Sequence, residues 1–404
     1  MKVVFVTANL PHGTDEAFIV PEIDQLIRAG HEVMVIPRSP KGPVIHSQAL
    51  LRYTRREPLY SAEVFTRAAR TGIRAPLRSV RALGILLKSR TPKIAAKNAA
   101  VLPKAFWLAS VARDWGAEHI YSHWAGTTAT MAMVASELSG IPWSFTAHRW
   151  DVVENNLLRE KVKRARLARF ISEDGLKMAK EIGIGAAANA RVLFMGVDLP
   201  AEVQRRSGQW PIVLCPARLV EVKGHRFLLE AWRILRACGV HGELWLAGDG
   251  ELRPELESLV RSFGLENSVR FLGTLAHEDL MQVYRDAPVS AVVLASTDLG
   301  QGVHEGIPVA LIEAMGHGIP VVATATGGTP ELVRPGTGFL VPPANSTALA
   351  DALHNLLQDK ALIEQIGNRA RRHVVERHDI VGVTYELAQA MADAAGQHNV
   401  SAVA

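Results

Sequence analysis

Short apolar runs alternate with longer stretches of helical spacing along this chain, and the pattern plays through twice. Val3–Ala8 is a β-branched run, Pro21–Ala29 has helical spacing that stops at Gly30, and His31–Ile36 is a second strand-like run. Further strands are predicted at Ile120–Trp124, Trp143–Ala147, Ala168–Ser172 and Val192–Met195. A helix over Gly126–Leu138 is closed by the stop signal Gly140-Ile141-Pro142. The pattern restarts after the polar stretch 202–209. Strands are expected at Ile212–Pro216, Leu244–Ala247, Val269–Leu272, Val289–Leu294 and Val321–Thr324. Between them helices are predicted near His225–Ala237, Pro254–Phe263, Glu278–Arg285 and Pro308–Met315, and Ser346 to about Ala395 reads as helical.

Strands separated by helices of this length imply parallel sheets with right-handed crossovers, an α/β architecture. Two such runs in 404 residues predict two Rossmann-like domains joined near 197–210. The expected division is 1–200 for the first domain, 201–380 for the second, and 381–404 for a helix and tail packing back on the first. Ligands in such sheets bind beyond the carboxyl ends of the strands, so two facing domains are expected to hold a site in the cleft between them.

Composition adds little until charge is placed along the chain. Hydrophobic residues make up 48% and charged residues 21%, a globular balance. Cys215 and Cys238 both lie in apolar contexts and read as buried thiols of a reducing compartment. The apolar run at the N-terminus is too short for a signal peptide, and no run of about 18 apolar residues exists to span a membrane. A cytoplasmic protein is expected. Net charge is +5, yet 52–104 alone holds thirteen Lys and Arg against Glu57 and Glu63. Leu59, Val64, Phe65, Ile73, Leu77, Val80, Leu83, Ile85 and Leu86 are interleaved with them. This basic helical insert, near 45–104, suits an anionic membrane surface or anionic substrate. Few aromatics accompany the cations, so nucleic acid is not an expected partner.

Candidate chemistry concentrates in the second half. In 304–316, HEGIPVALIEAMG, a Gly-X-Pro loop delivers a helix N-terminus, whose free amides and positive dipole end suit a diphosphate. Glu313 lies within that helix, where a carboxylate can accept two hydrogen bonds from a ribose diol, and Glu305 on the loop is free to face a sugar ring. Arg218 and Lys223 follow the first strand of the second domain, at the strand end where ligands bind. Together they can neutralise a departing diphosphate.

These motifs resemble the retaining glycosyltransferases of family 4, which have the GT-B fold of two facing Rossmann-like domains. The resemblance rests on PARLVEVKG (216–224), LWLAGDGELRPELE (244–257), VRFLGTLAHEDL (269–280), EGIPVALIE (305–313) with its continuation to 333, and GTGFLVPP (336–343). It is dense over about 211–345. Earlier, TANLPHGTDEAFIVPEIDQLIRAGHEV and SFTAHRWDV are similar to members building exopolysaccharide or lipid-linked oligosaccharide. The resemblance implies a nucleoside diphosphate sugar as donor, and no tightly bound cofactor and no required metal are expected. Its catalytic set is Arg218, Lys223, Glu305 and His148. Arg218 and Lys223 would hold the diphosphate, Glu313 the ribose, and Glu305 the transferred sugar. The backbone of Gly306 and Ile307 would complete the contacts, with His148 near the transferred sugar. Many relatives have paired glycines in the first loop, where here Gly13 stands alone beside His12.

His12, Gly13, His123 and Trp124 lie at predicted strand ends of the first domain and are assigned to the acceptor side. No Asp-X-Asp occurs to hold a metal–diphosphate complex. A sugar-nucleotide epimerase of the same fold, or a non-catalytic sugar-nucleotide-binding subunit of a polysaccharide assembly complex, fits the same motifs.

Overall fold

The computed structural model describes residues 1–13, 16–44, 48–184, 187–203, 208–300 and 305–396. His304, residues 204–207 of the polar stretch and the tail beyond 396 lie outside them. The chain divides into two compact units, Met1–Gly196 with the closing helix from Ile380, and Val197–Asp379.

The first unit is built on one parallel sheet. Its strands are β1 (Lys2–Thr7), β2 (Glu32–Pro37), β3 (His119–Ser122), β4 (Trp143–Ala147), β5 (Ala168–Phe170) and β6 (Ala190–Val192), in spatial order β2-β1-β3-β4-β5-β6. The sixth strand was expected at Val192–Met195; it pairs with β5 two residues earlier, through Ala168–Ala190 to Phe170–Val192. Helix α1 (Val20–Arg28) follows β1.

The basic insert, expected as one amphipathic helical segment, is four helices: α2 (Ala62–Arg74), α3 (Pro76–Leu86), α4 (Pro92–Ala100) and α5 (Leu102–Trp115). Pro76, Pro92 and Pro103 each fall in a first turn, where a missing N–H costs nothing. The side chains of Ser61 and Thr91 cap α2 and α4. Part of the expected basic surface is spent internally. Lys104 is buried on the carbonyls of Pro37, Arg38 and Glu57, and Arg67, Arg81, Lys88 and Lys97 pair with Asp114, Glu137, Glu160 and Glu154. Helices α6 (Thr127–Ser139), α7 (Arg149–Glu154), α8 (Leu158–Arg164) and α9 (Glu173–Glu181) complete the run.

The second unit repeats the plan with β7 (Ile212–Pro216), β8 (Glu243–Ala247), β9 (Val269–Gly273), β10 (Val289–Leu294), β11 (Val321–Thr324) and β12 (Phe339–Val341), all parallel in order β12-β11-β10-β7-β8-β9. Its helices are α10 (His225–Ala237), α11 (Arg253–Ser262), α12 (His277–Asp286), α13 (Val309–Gly316), α14 (Thr329–Leu332), α15 (Ser346–Gln358) and α16 (Lys360–His378). The helical C-terminal stretch is thus broken: the Asp359 side chain caps α16, and α17 (Ile380–Gly396) leaves for the first unit. There Val383, Leu387 and Met391 share a core with Ile19, Ile23 and Leu26. Cys215 is buried in β7, but Cys238, expected to be buried, is exposed just past the end of α10.

Each sheet reverses its strand order at one place, between β1 and β3 in the first unit and between β7 and β10 in the second. Loops leaving the carboxyl ends of those strands diverge in opposite directions and open a crevice.

Candidate active site

In the second unit the sequence-predicted residues flank the reversal between β7 and β10. After β7 the chain passes Arg218, makes a 3₁₀ turn over Glu221–Lys223 and reverses at Gly224 (φ 63°). Only glycine fits there, because a Cβ would stand 2.0 Å from the carbonyl oxygen of Ala295 just beyond β10. The close approach, with Thr297 N donating to Val222 O at 2.8 Å, holds the Lys223 turn against the loop after β10. Lys223 Nζ donates to Glu305 Oε2 at 2.5 Å, and Ser296 Oγ donates to the same oxygen at 3.0 Å. Two residues 82 apart in sequence therefore meet across the reversal, both largely shielded. Arg218 is exposed at the end of β7, and no ion pair to a described residue engages it.

The loop carrying Glu305 is fixed from the other side by Gly328, where a Cβ would stand 2.8 Å from the Ile307 side chain and 3.1 Å from its backbone nitrogen. Pro308, expected in the first helical turn, is the N-cap, and α13 starts at Val309. Glu313 is buried on α13, and its Oε1 lies 2.7 Å from His277 Nε2. That hydrogen bond, partly opposed by burial, raises the His277 pKa above its usual value, so the ring favours the imidazolium. Tyr284, whose hydroxyl donates to Ala310 O at 3.2 Å, and His317, whose Nδ1 donates to Glu313 O at 2.9 Å, pin the same helix.

In the first unit the acceptor-side candidates gather at the other reversal. His123 and Trp124 leave β3, and His148 leaves β4 as the N-cap of α7. The Trp124 and His148 rings lie 4.3 Å apart, and His148 Nε2 is 3.2 Å from His123 Nε2. His123 is fully buried, with Nδ1 3.5 Å from Glu22 Oε1. Glu22 in turn pairs with the buried guanidinium of Arg169 at 2.5 Å. Burial opposes the Glu22 charge, but Arg169 and His123 outweigh it and hold the carboxyl down to about 2. Burial, with His123 and Arg169 nearby, moves the His148 pKa well below the usual histidine range, so its ring is neutral.

The loop after β1 is organised by Glu16. Its carboxylate accepts from the backbone nitrogens of Ala8, Asn9 and Leu10 and from Trp124 Nε1. On that loop His12 Nδ1 bonds Gly42 O at 3.2 Å, and Gly13 (φ 75°) donates to Pro43 O. A pocket of about 440 Å³ opens beside these strand ends, lined by Arg38, Lys97, Trp124, Asp151 and Glu154 among others. Asp151, buried, has its pKa raised to about 6 despite hydrogen bonds from the backbone of His148 and Ala125. Buried Lys161 beside it donates to the carbonyls of Ala125, Gly126 and Asn156.

Comparison with known proteins finds a family match for most of the second unit. The model of the family described as glycosyl transferases group 1 matches residues 210–359, most of the second unit. The chain carries a group 1 glycosyltransferase domain. The chain is similar to the amylovoran biosynthesis glycosyltransferase AmsK of Erwinia amylovora, at 28% identity over 93% of this chain and 95% of that one. It is also similar to a GDP-mannose-dependent alpha-(1-6)-phosphatidylinositol monomannoside mannosyltransferase of Mycobacterium tuberculosis, at 29% identity over 64% of this chain and 72% of that one. The solved structure of HepE from Anabaena in complex with UDP superposes with a TM-score of 0.72 at 21% identity, covering 97% of this chain and all of that one. The fold around the glycosyltransferase domain is GT-B, two units each built on a six-stranded parallel sheet.

Sequence reasoning missed several residues that organise both sites: His277, Ser296, Glu16, Glu22 and Arg169. Two of them carried a signal. Glu22 sits among the apolar positions of α1, and Arg169 lies inside the apolar strand β5, where a buried charge requires a partner. Among the described residues no group of three or more His, Cys, Asp or Glu is placed to hold a metal ion.

Proposed function

We propose that this glycosyltransferase moves a hexose-type unit from a nucleoside diphosphate sugar to an acceptor hydroxyl with retention of anomeric configuration. The observation that carries the reading is the meeting of Lys223 and Glu305 across the β7–β10 reversal. An ammonium has three donors, and one is spent on Glu305. The others, with the exposed Arg218, suit the oxygens of a diphosphate, and the first amides of α13 add donors beside them. Glu313, oriented by His277, suits a ribose diol, and Glu305 suits the hydroxyls of the transferred sugar. The similarity to a UDP-bound structure and to a GDP-mannose-dependent relative supports a nucleotide-sugar donor.

In the proposed step the bond from the anomeric carbon to the diphosphate oxygen breaks. The acceptor oxygen bonds that carbon from the same face, and its proton passes to the leaving diphosphate oxygen. Arg218 and Lys223 stabilise the charge growing on that oxygen, which is the work a metal ion does elsewhere, so the reaction proceeds without one. Neutral His148 is assigned to the transferred sugar. The pocket beside Trp124, Arg38, Asp151 and Glu154, with His12, Gly13 and His123 on the loops around it, is assigned to the acceptor sugar.

Relatives named for amylovoran and phosphatidylinositol mannoside synthesis favour a polysaccharide or lipid-linked acceptor. Among the described residues no helix is long and apolar enough to cross a membrane. The basic insert, with apolar residues interleaved among its cations, is assigned to peripheral contact with the anionic inner face, from the cytoplasm. Purified protein incubated with UDP-glucose or GDP-mannose, bacterial lipid extract and EDTA tests the activity. A product whose anomeric proton coupling matches the donor is expected. Inversion, or activity appearing only after Mn²⁺ or Mg²⁺ is restored, contradicts it.

A further inference from the structure

His148 stands at the front of a line of polar groups whose hydrogen bonds run in only one direction. It is half-buried and forms the N-cap of α7. Its side chain faces the backbone N–H of Asp151 in a capping box, while Asp151 Oδ2 accepts from the His148 backbone nitrogen at 2.9 Å. An N–H faces a ring nitrogen only where that nitrogen is bare, and Nε2 is turned to His123, so the bare one is Nδ1. The neutral ring then carries its proton on Nε2, and His123 Nε2, 3.2 Å away, must be bare to accept it. The His123 proton is thereby placed on Nδ1, which faces Glu22 Oε1 at 3.5 Å. Both of those atoms are buried, and neither has another hydrogen-bond partner among the described residues. The carboxylate end agrees independently. Arg169, fully buried, donates to Leu193 O, Phe194 O, the Tyr121 hydroxyl and Glu22 Oε2. A guanidinium only donates, so Glu22 is held by one oxygen and offers His123 an acceptor with the other.

We infer that Glu22 is a positioning residue for sugar transfer, fixing His148 through His123 as the Nε2-protonated ring in a single orientation. The inference rests on the assignment of His148 to the transferred sugar and adds the group that sets its tautomer. Glu22→Gln tests the direction of the line. Arg169 still requires an oxygen, so the new amide must turn its NH₂ toward His123 Nδ1. That strips Nδ1 of its proton, reverses the tautomers of both histidines, and sets an Nδ1–H of His148 against the Asp151 N–H. Glu22→Asp keeps acceptor oxygens for both partners.

Long-range proton–nitrogen NMR of the full chain, labelled with nitrogen-15 histidine, separates bare from protonated ring nitrogens, and His123→Asn and His148→Asn assign the two rings. At neutral pH wild type is expected to carry the proton on Nδ1 of His123 and on Nε2 of His148. Glu22→Gln should reverse both, and Glu22→Asp should keep the wild-type pattern. With the sugar donor that wild type uses, kcat should fall at least about tenfold in Glu22→Gln, because a misplaced ring no longer meets the sugar. Glu22→Asp should retain the larger share of transfer. Binding of UDP or GDP alone should be unchanged, since the nucleotide contacts are assigned to the second unit. Circular dichroism melting sets a temperature at which each variant is folded; should Glu22→Gln not fold, the wild-type spectrum and Glu22→Asp decide. The opposite tautomers in wild type, or unchanged tautomers in Glu22→Gln, overturn the inference. Reversed tautomers with transfer at the wild-type rate also overturn it and leave the proposed activity standing. Wild type with the expected tautomers but no transfer overturns that activity, and the role with it.

Discussion

Glu313 Oε1 stands 2.7 Å from His277 Nε2, joining α13 to α12 at the bottom of the proposed ribose site. The His277 pKa is raised by this bond, so the pair contributes stability that is complete below the usual histidine value of 6.5 and is lost as pH rises through the higher folded value. His277→Gln should therefore lower the melting temperature most near pH 5.5, with the difference from wild type shrinking toward pH 9. A difference that grows with pH, followed by scanning fluorimetry, would show that the imidazolium is not the bonded form.

The Glu22–Arg169 pair has the opposite dependence. Both side chains are buried, and Glu22→Gln leaves the guanidinium without its counter-charge, a change that costs about 3 kcal/mol or more. Because the Glu22 pKa falls from 4.5 to about 2, its contribution is present above pH 4.5 and disappears as pH falls toward 2. Urea unfolding at pH 7 and pH 3 should show the destabilisation by Glu22→Gln shrinking at the lower pH.

Gly224 and Gly30 separate backbone strain from crowding. Both have positive φ, 63° and 84°, but a Cβ meets Ala295 O at 2.0 Å in the first case and nothing within 4 Å in the second. Gly30→Ala should cost about 1–2 kcal/mol of stability and leave transfer intact. Gly224→Ala must push the Lys223 turn off the loop after β10 and should abolish transfer. Comparable activity in the two variants would show that this close approach does not build the site.

What the sequence conveyed follows from where the information sits. Arg218, Lys223, Glu305 and Glu313 were legible because each lies on or beside a short signal, a strand end, a Gly-X-Pro loop or a helix start, and the α/β alternation brings those signals to one sheet edge. Most strands were placed within a residue or two for the same reason. His277 and Ser296 were invisible because their roles exist only once α12 and β10 are packed beside α13 and β7. The Glu22–His123–His148 line depends on three elements joined by the order β2-β1-β3-β4, which spacing alone does not specify. The insert misled in another way. Its cations read as one basic surface facing an anionic membrane or substrate, yet Lys104 is buried and four others answer acids far away in sequence.

The diphosphate grip of Arg218 and Lys223 is the claim on which the enzymatic reading depends. Calorimetric titration of UDP and GDP into wild type, Arg218→Ala and Lys223→Ala, all in EDTA, measures it directly. Wild type should bind at least one of the two nucleotides without metal. Each variant should bind that nucleotide at least about tenfold more weakly, the equivalent of about 1.4 kcal/mol, while melting within a few degrees of wild type. Variants that bind as tightly as wild type would contradict the account, as would binding that requires a divalent cation.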